Sequence, residues 1–417
     1  MTKLELPPLA PAAVTKRGDL LGSLLAGHAA CGDLFRLRLG RNDLVFVCHP
    51  ELAREVLVRR KDEFVKLGGD GQATGLGAVL GNGLLTNPDA ESWFVQRRIV
   101  APLFHRERSQ GWARAVAEAG ERLVRRCNQA TPGSAVDVVK ALLETNLEII
   151  GELVFSLPAE VARSSGLEVP LSLATARASE QRAKVAALDE KVAALVAQRR
   201  RARAAGQNFG DILDLLLEAR DAETGAVMNE RQLRDELLTL FAAGHETTAN
   251  ALTWTLYALA QHPQVQTTLH ADLDIAPFPP PYLQATFKEA LRLYPAIPSA
   301  PRVTLQDNEL GGYRLPKGAR VFVSIYTIHR HRDFWQAPDS FRPERFLTED
   351  KNPAYFPFGL GSRFCVGREL ALLTGHTLLA HLARHFHFRL PPNLAFTPAV
   401  AISLYPRGGL ELLFEPR

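Results

Sequence analysis

Apolar and polar positions alternate along residues 34–48, LFRLRLGRNDLVFVC, on either side of a Gly-Arg-Asn-Asp turn, and period-two alternation around such a turn predicts a hairpin. From Pro50 onward the pattern becomes helical, with long stretches rich in Ala, Leu, Glu and Arg at 113–127, 141–155 and 173–204. The charged 173–204 stretch reads as a solvated helical surface. A longer element spans 230–262: Asn229 caps it with Gln232 three residues on, and Pro263 stops it. At a rise of 1.5 Å per residue it is roughly 50 Å long, enough to cross a domain. Its middle breaks pattern, because the apolar run around Phe241 gives way to Gly244-His245-Glu246-Thr247-Thr248, polar groups where length demands burial. Local rules fail in this way at functional sites. A helix at about 281–294 ends before Pro295 and carries Glu289 and Arg292 at i and i+3. Strand-like pieces at 303–324, a Pro-rich irregular stretch at 337–362 and a helix at about 367–386, starting just after Cys365, follow. Residues 399–415 read as a strand pair around Pro406-Arg407-Gly408-Gly409. The expected fold class is mainly α with small β-sheets (α+β), a single domain over 1–417 with residues 1–20 as an extended N-terminal segment.

Composition narrows the function more than the fold. The 417 residues are 46% hydrophobic and 23% charged, enough for a large core. A net charge of +4 is mild and is not gathered into basic tracts with interleaved aromatics, which excludes nucleic acid as a partner. Cys31, Cys48, Cys127 and Cys365 form no Cys-x-x-Cys pair, so neither a disulfide framework nor structural zinc is indicated. No signal-peptide core and no membrane-spanning run occurs, and the expected location is cytoplasmic, with loose contact at a membrane surface sufficient to collect an apolar substrate. The glycine-dense segment 68–83, GGDGQATGLGAVLGNG, lacks the preceding strand and following helix of a dinucleotide cradle and reads as a mobile loop.

The segment Phe358-Gly359-Leu360-Gly361-Ser362-Arg363-Phe364-Cys365-Val366-Gly367 carries the most chemistry. Glycines let backbone approach a flat ligand, Arg363 can neutralise a carboxylate, and a thiolate at a helix head is stabilised by N–H donors and the helix dipole. A lone cysteine is most often a small buried hydrophobe, but this context is not that of a core residue. His245-Glu246 could open a zinc-protease His-Glu-x-x-His helix, but position 249 is Ala and the second ligand is missing.

The Phe358–Gly367 segment resembles the haem-binding loop of the cytochrome P-450 family, Phe-x-x-Gly-x-x-x-Cys-x-Gly. Glu289-Ala-Leu-Arg292 is similar to the family's Glu-x-x-Arg helix, and Pro343-Glu344-Arg345-Phe346 resembles its downstream partner. The resemblance implies haem b ligated through its iron by Cys365, a buried network of Glu289, Arg292 and Arg345, and Phe358 beside the haem. It also implies propionate contacts from Trp93 and Arg97 (Trp93-x-x-x-Arg97), Arg302 and Arg363. Ala243-Gly244-His245-Glu246-Thr247-Thr248 is similar to the oxygen-activating turn of the family's long helix, which lies over the haem. Reductive splitting of O2 consumes two protons, so a hydroxyl (Thr247) and a neighbouring acid (Glu246) are both wanted, while a thiolate pushes electron density that favours O–O cleavage. Ala243 and Gly244 would then face the haem. The matches run from about residue 34 to 413.

The compact build, Tyr355-Phe-Pro-Phe-Gly-Leu-Gly and Glu289-Ala-Leu-Arg-Leu-Tyr-Pro look most like the small bacterial branch that hydroxylates the β-ionone ring of carotenoids. Fatty-acid or terpenoid hydroxylation is the alternative. Ile297, Ser299, Ala300, Ile402 and Leu404 are the expected pocket positions, small or apolar and suited to a substrate held by burial. No flavin or iron–sulfur motif occurs, so electrons from NAD(P)H are expected through a separate ferredoxin or flavodoxin and its reductase, docking on basic groups around Arg97, Arg98 and Arg368. A peroxide-driven peroxygenase, or a haem-based sensor or electron carrier, is the reading from other classes. The Glu246-Thr247 pair disfavours both.

Overall fold

A computed structural model of the chain describes residues 5–16, 18–68, 75–129, 135–170, 173, 176–348 and 351–417. It separates into two compact units, each assembled from distant parts of the chain. The first comprises residues 1–73, 285–365 and 395–408, and the second 74–284, 366–394 and 409–417.

The first unit is built on a five-stranded sheet in the order Leu34–Leu39, Asn42–Val47, Arg320–Ser324, Ser299–Thr304, Phe64–Val65. The hairpin expected at 34–48 is its first pair, in register Phe35 against Phe46. The second strand then pairs parallel with Arg320–Ser324. Alternation places Phe35 and Leu37 on one face, where they pack with Leu24 of the helix Leu20–Cys31; Leu34, Val45 and Val47 pack on the other with Val321 and Val323. Leu20–Cys31, capped by Asp19 accepting from the Gly22 N–H at 2.8 Å, lies beyond the N-terminal segment. The tail of the chain differs from the sequence reading. Its hairpin joins Thr397–Val400 to Leu404–Arg407, whereas Glu411–Pro416 pairs in the second unit, so Pro406–Gly409 is an exit from a strand and not a turn.

Glu289 and Arg292 have no exposed surface at all. Arg292 makes a two-pronged bond to Glu289 at 2.7 and 2.8 Å, and its remaining N–H groups donate to the carbonyls of His329, Pro338 and Ser340. Glu289 Oε1 also accepts from the Arg342 N–H at 2.9 Å and Arg345 Nε at 3.1 Å. A buried ion pair costs several kcal/mol of desolvation per ion, and only full hydrogen bonding of this kind offsets it.

The second unit is helical. Glu230–Gln261 has the expected capping box, with the Asn229 and Gln232 side chains each accepting from the other's backbone N–H. Pro263 ends that helix and also opens the next, Pro263–Ile275, because a proline is tolerated in a first turn where no N–H partner is required. Val138–Phe155, Ala178–Ala204 and Arg368–His385 lie near the expected bounds. Ala135–Asp137, Glu411–Pro416 and Phe386–Arg389 form a three-stranded sheet that closes the unit. Part of the glycine-dense segment, 69–74, lies outside the described residues; of the rest, Gly75–Leu80 is a helix, not a mobile loop.

Replacing Glu289 by Gln leaves the Arg292 charge buried without its counter-ion. Thermal unfolding should show a loss of about 3–5 kcal/mol, where an exposed i, i+3 pair would cost only a few tenths.

Candidate active site

In the first unit the cysteine loop is shaped by two glycines in the left-handed region, Gly359 at φ 79° and Gly361 at φ 73°. A Cβ at Gly361 would run into the Leu57 carbonyl oxygen, so that position admits glycine alone. The Cys365 N–H donates across the loop to Phe358 O at 3.0 Å, and the Phe364 N–H to Gly361 O at 3.1 Å. Of the four cysteines, Cys365 is the exposed one. Burial pushes the Cys48 thiol far up and Cys127 up to about 11, which disqualifies both as thiolates at neutral pH.

The loop is tied to the ion network through His329, a residue that sequence reasoning missed. Its ring is fully buried; Nδ1 bonds Arg292 O at 3.1 Å, and Nε2 accepts from the Phe356 N–H at 3.1 Å. These partners fix the tautomer, and burial pushes the ring down to about 3, so it stays neutral. A histidine beside an arginine in an ordinary turn gives no local signal of this role.

Arg302 is buried at 7% exposure, and among the described residues its guanidinium bonds only the neighbouring Pro301 carbonyl, at 2.8 Å. Burial without a carboxylate pulls it down to about 10. Lys66 lies close by. Burial, and then the charges of Arg302 and Arg363, pull its ammonium down to about 7. Two further cations gathered around a buried guanidinium fit a ligand bearing carboxylates, as haem does. Lys66 was not anticipated, since a lysine at the end of a short strand is ordinarily solvated. Of the expected pocket positions, Ile297, Ser299, Ala300 and Ile402 are part-buried. Leu404 has no surface, and its N–H donates to Ala296 O at 2.9 Å.

In the second unit the long helix is buried from Asp235 to Ala260 except at Ala243, Gly244, Glu246, Thr247 and Tyr257. Positions 243, 246 and 247 stand at i, i+3 and i+4, so the polar break in the pattern is one accessible face. The Thr247 hydroxyl donates to Ala243 O at 2.6 Å. His245 points elsewhere: it is buried, bonded to the Leu143 backbone and pushed down to about 4 by burial. Gly244 sits against the helix Val138–Phe155, where a Cβ would lie 2.8 Å from Ile150 Cδ1.

The same helix anchors the chain after Leu80. Asp235 accepts from the Asn82 N–H at 2.8 Å and Glu236 from the Leu84 N–H at 3.0 Å. The indole N–H of Trp93 donates to Leu84 O at 2.9 Å, so any carboxylate would have to share that hydrogen. Its ring instead meets the Arg97 guanidinium, 5.9 Å from the centroid. Arg98, expected on a docking surface, is held bidentate by Asp221 at 2.6 and 2.9 Å, and Arg368 pairs with Glu369 at 2.9 Å. The Arg98 charge is met by a buried carboxylate, whereas Arg368, in an exposed pair, still faces solvent.

The family model for cytochrome P450 matches residues 14–169 and 167–402. Two proteins of Streptomyces melanosporofaciens are similar: Cyclooctatin synthase, 33% identical over 94% of this chain and 91% of the relative, and Cyclooctat-9-en-7-ol 5-monooxygenase, 30% identical over 94% and 90%. Protein LUTEIN DEFICIENT 5 of Arabidopsis thaliana is 28% identical over 87% of this chain and 68% of its own length. Among solved structures, the cytochrome P450DA heme domain superposes with a TM-score of 0.86 at 25% identity, covering 99% of this chain and 98% of that one. No helix among the described residues is long and apolar enough to cross a membrane.

The Lys66 shift predicts a pH dependence. A pKa lowered on folding means that the unfolded chain binds more protons between about 7 and the ordinary lysine value, so the haem-free protein should gain stability as pH rises through that window. Unfolding of wild type and Lys66→Met should diverge in slope there, and the divergence should shrink on haem loading.

Proposed function

The chain belongs to the cytochrome P450 family and is a haem-thiolate monooxygenase, and we propose that Cys365 ligates the haem iron and that the substrate is an apolar ring-bearing isoprenoid, with a carotenoid β-ionone ring as the specific reading. The observation that carries the chemistry is the accessible Ala243, Glu246 and Thr247 face on an otherwise buried helix. Bound haem supplies the iron at which dioxygen is reduced and one of its atoms enters a C–H bond.

The remaining work falls to side chains. In the first unit Arg302, Arg363 and Lys66 hold the propionates, and the loop from Phe358 to Cys365 presents the thiolate. Thr247 has one hydroxyl hydrogen, resting on Ala243 O, and oxygen lone pairs that still accept. It can therefore take a hydrogen from water and pass its own onward, with Glu246 resupplying the proton. Ile297, Ser299, Ala300 and Ile402 offer no charge, so substrate is held by removal of apolar surface from water, at about 25 cal/mol per Å². Electrons from NAD(P)H arrive through a separate ferredoxin or flavodoxin and its reductase.

A second reading, hydroxylation of a cyclic terpenoid alcohol, is favoured by the likeness to Cyclooctat-9-en-7-ol 5-monooxygenase. Titrating the ferric holoprotein separately with a β-ring carotenoid, a cyclic terpenoid alcohol and a long-chain fatty acid separates the candidates. A blue shift of the haem band with the carotenoid is expected. A shift with the terpenoid alone moves the assignment to the second reading, and a shift with the fatty acid alone overturns both.

Thr247→Ala should retain haem while diverting reducing equivalents to peroxide by a factor on the order of 10² or more relative to product. Unchanged coupling would remove Thr247 from proton delivery.

A further inference from the structure

Three side chains of the first unit converge on one point outside the residues discussed so far. His28, in the last turn of Leu20–Cys31, and His331, after the short helix Ile325–Ile328, each place Nε2 at 3.0 Å from the same Asp33 oxygen, Oδ1. All three candidate ligand atoms lie within 4.8 Å of one another. We propose that His28, Asp33 and His331 form a binding site for a divalent transition ion of the zinc type.

The spacing suits such an ion. With metal–ligand bonds of about 2.0–2.1 Å, the edge of a tetrahedral site is roughly 3.3 Å. The two 3.0 Å separations therefore need only about 0.3 Å of opening to admit one. Two imidazoles and one carboxylate favour zinc and its neighbours over magnesium or calcium, which take oxygen ligands. Burial alone would raise the Asp33 carboxyl, but the bonds from His28 and His331 outweigh it and hold it below its ordinary value, so it is an anion at neutral pH. The site is reachable, because the Asp33 side chain is 41% exposed while His331 is only 6% exposed.

The ligands are also held in place. The Gly32 N–H donates to His28 O at 2.9 Å and the Cys48 N–H to Asp33 O at 2.7 Å. The His331 ring sits against those of His28, His49 and Phe334. Its Nδ1 accepts from the Asp333 N–H at 3.2 Å, so Nε2 now carries the hydrogen that goes to Asp33. On coordination that proton must leave Nε2, and Nδ1 takes one up. That ends the bond from the Asp333 N–H, which turns to water, and the exposed Asp333 carboxylate, now 4.0 Å from Nδ1, must close in to receive the new N–H as an outer partner. The ion would brace the first helix, the first strand and the His331 segment together.

The test is zinc titration of the haem-loaded protein against a chromophoric chelator, with the haem band recorded in parallel. One zinc per chain is expected, with an unchanged haem band, a raised melting temperature and no displacement by excess magnesium. Asp33→Asn and His331→Gln should each weaken binding more than the roughly 10–100-fold typical of losing an outer partner. His28→Gln, on a part-exposed helix surface, serves if either of those fails to fold. Cys31→Ser, three residues from His28 but outside the cluster, should leave affinity unaltered. Binding that survives the ligand substitutions, vanishes with Cys31, perturbs the haem band or is absent overturns the proposal.

Discussion

Much of the first unit depends on the buried pair Glu289 and Arg292. Two opposite charges without any water contact are tolerable only because every remaining hydrogen of the guanidinium and both carboxylate oxygens have partners. Those partners are backbone groups of 329, 338, 340 and 342, so satisfying the charge also fixes the course of an irregular, proline-rich stretch that has little secondary structure of its own. His329 extends the constraint. Its two ring nitrogens join Arg292 O to the Phe356 N–H, and Phe356 O in turn accepts from Gly359 N at the start of the cysteine loop. The position of the proposed iron ligand is thus set by electrostatics worked out some distance along the chain.

In the second unit the controlling feature is a helix long enough to be buried along most of its length. A buried helix has no reason to carry Glu246 and Thr247 unless the face they share has something to meet, and the structure leaves surface at that face while sealing its neighbours. The same helix uses Asp235 and Glu236 to hold the backbone of Asn82 and Leu84, and Leu84 holds Trp93. Burial and the adjacent Asp235 carboxylate push Glu236 up to about 8, the electrostatic consequence of placing an acid there. One element therefore positions the proposed proton-handling pair and the segment that carries Arg97.

Elements with a strong period were legible in the sequence: the hairpin at 34–48, the capped helix from Glu230 and the Glu289 helix. The cysteine loop was legible because its glycines and cysteine follow each other directly. What could not be read is whatever depends on distant partners. Pro263 ended one helix as expected and began another, which a stop signal alone does not announce. The last strands were misjudged because Glu411–Pro416 finds its partners at 135–137 and 386–389, far away in sequence. Lys66 and His329 were missed for the same reason: their significance lies in Arg302, Arg363, Arg292 and Phe356, and nothing adjacent to them marks it.

The central claim, that Cys365 supplies the thiolate, is tested most directly by the visible spectrum of the reduced protein under carbon monoxide, recorded for wild type, Cys365→His and the single serine replacements of Cys31, Cys48 and Cys127. The account predicts the strongly red-shifted haem band of thiolate ligation in wild type and in the three serine variants, and its replacement by an imidazole-type band in Cys365→His. A thiolate band that persists in Cys365→His, or that disappears with one of the other cysteines, would contradict it.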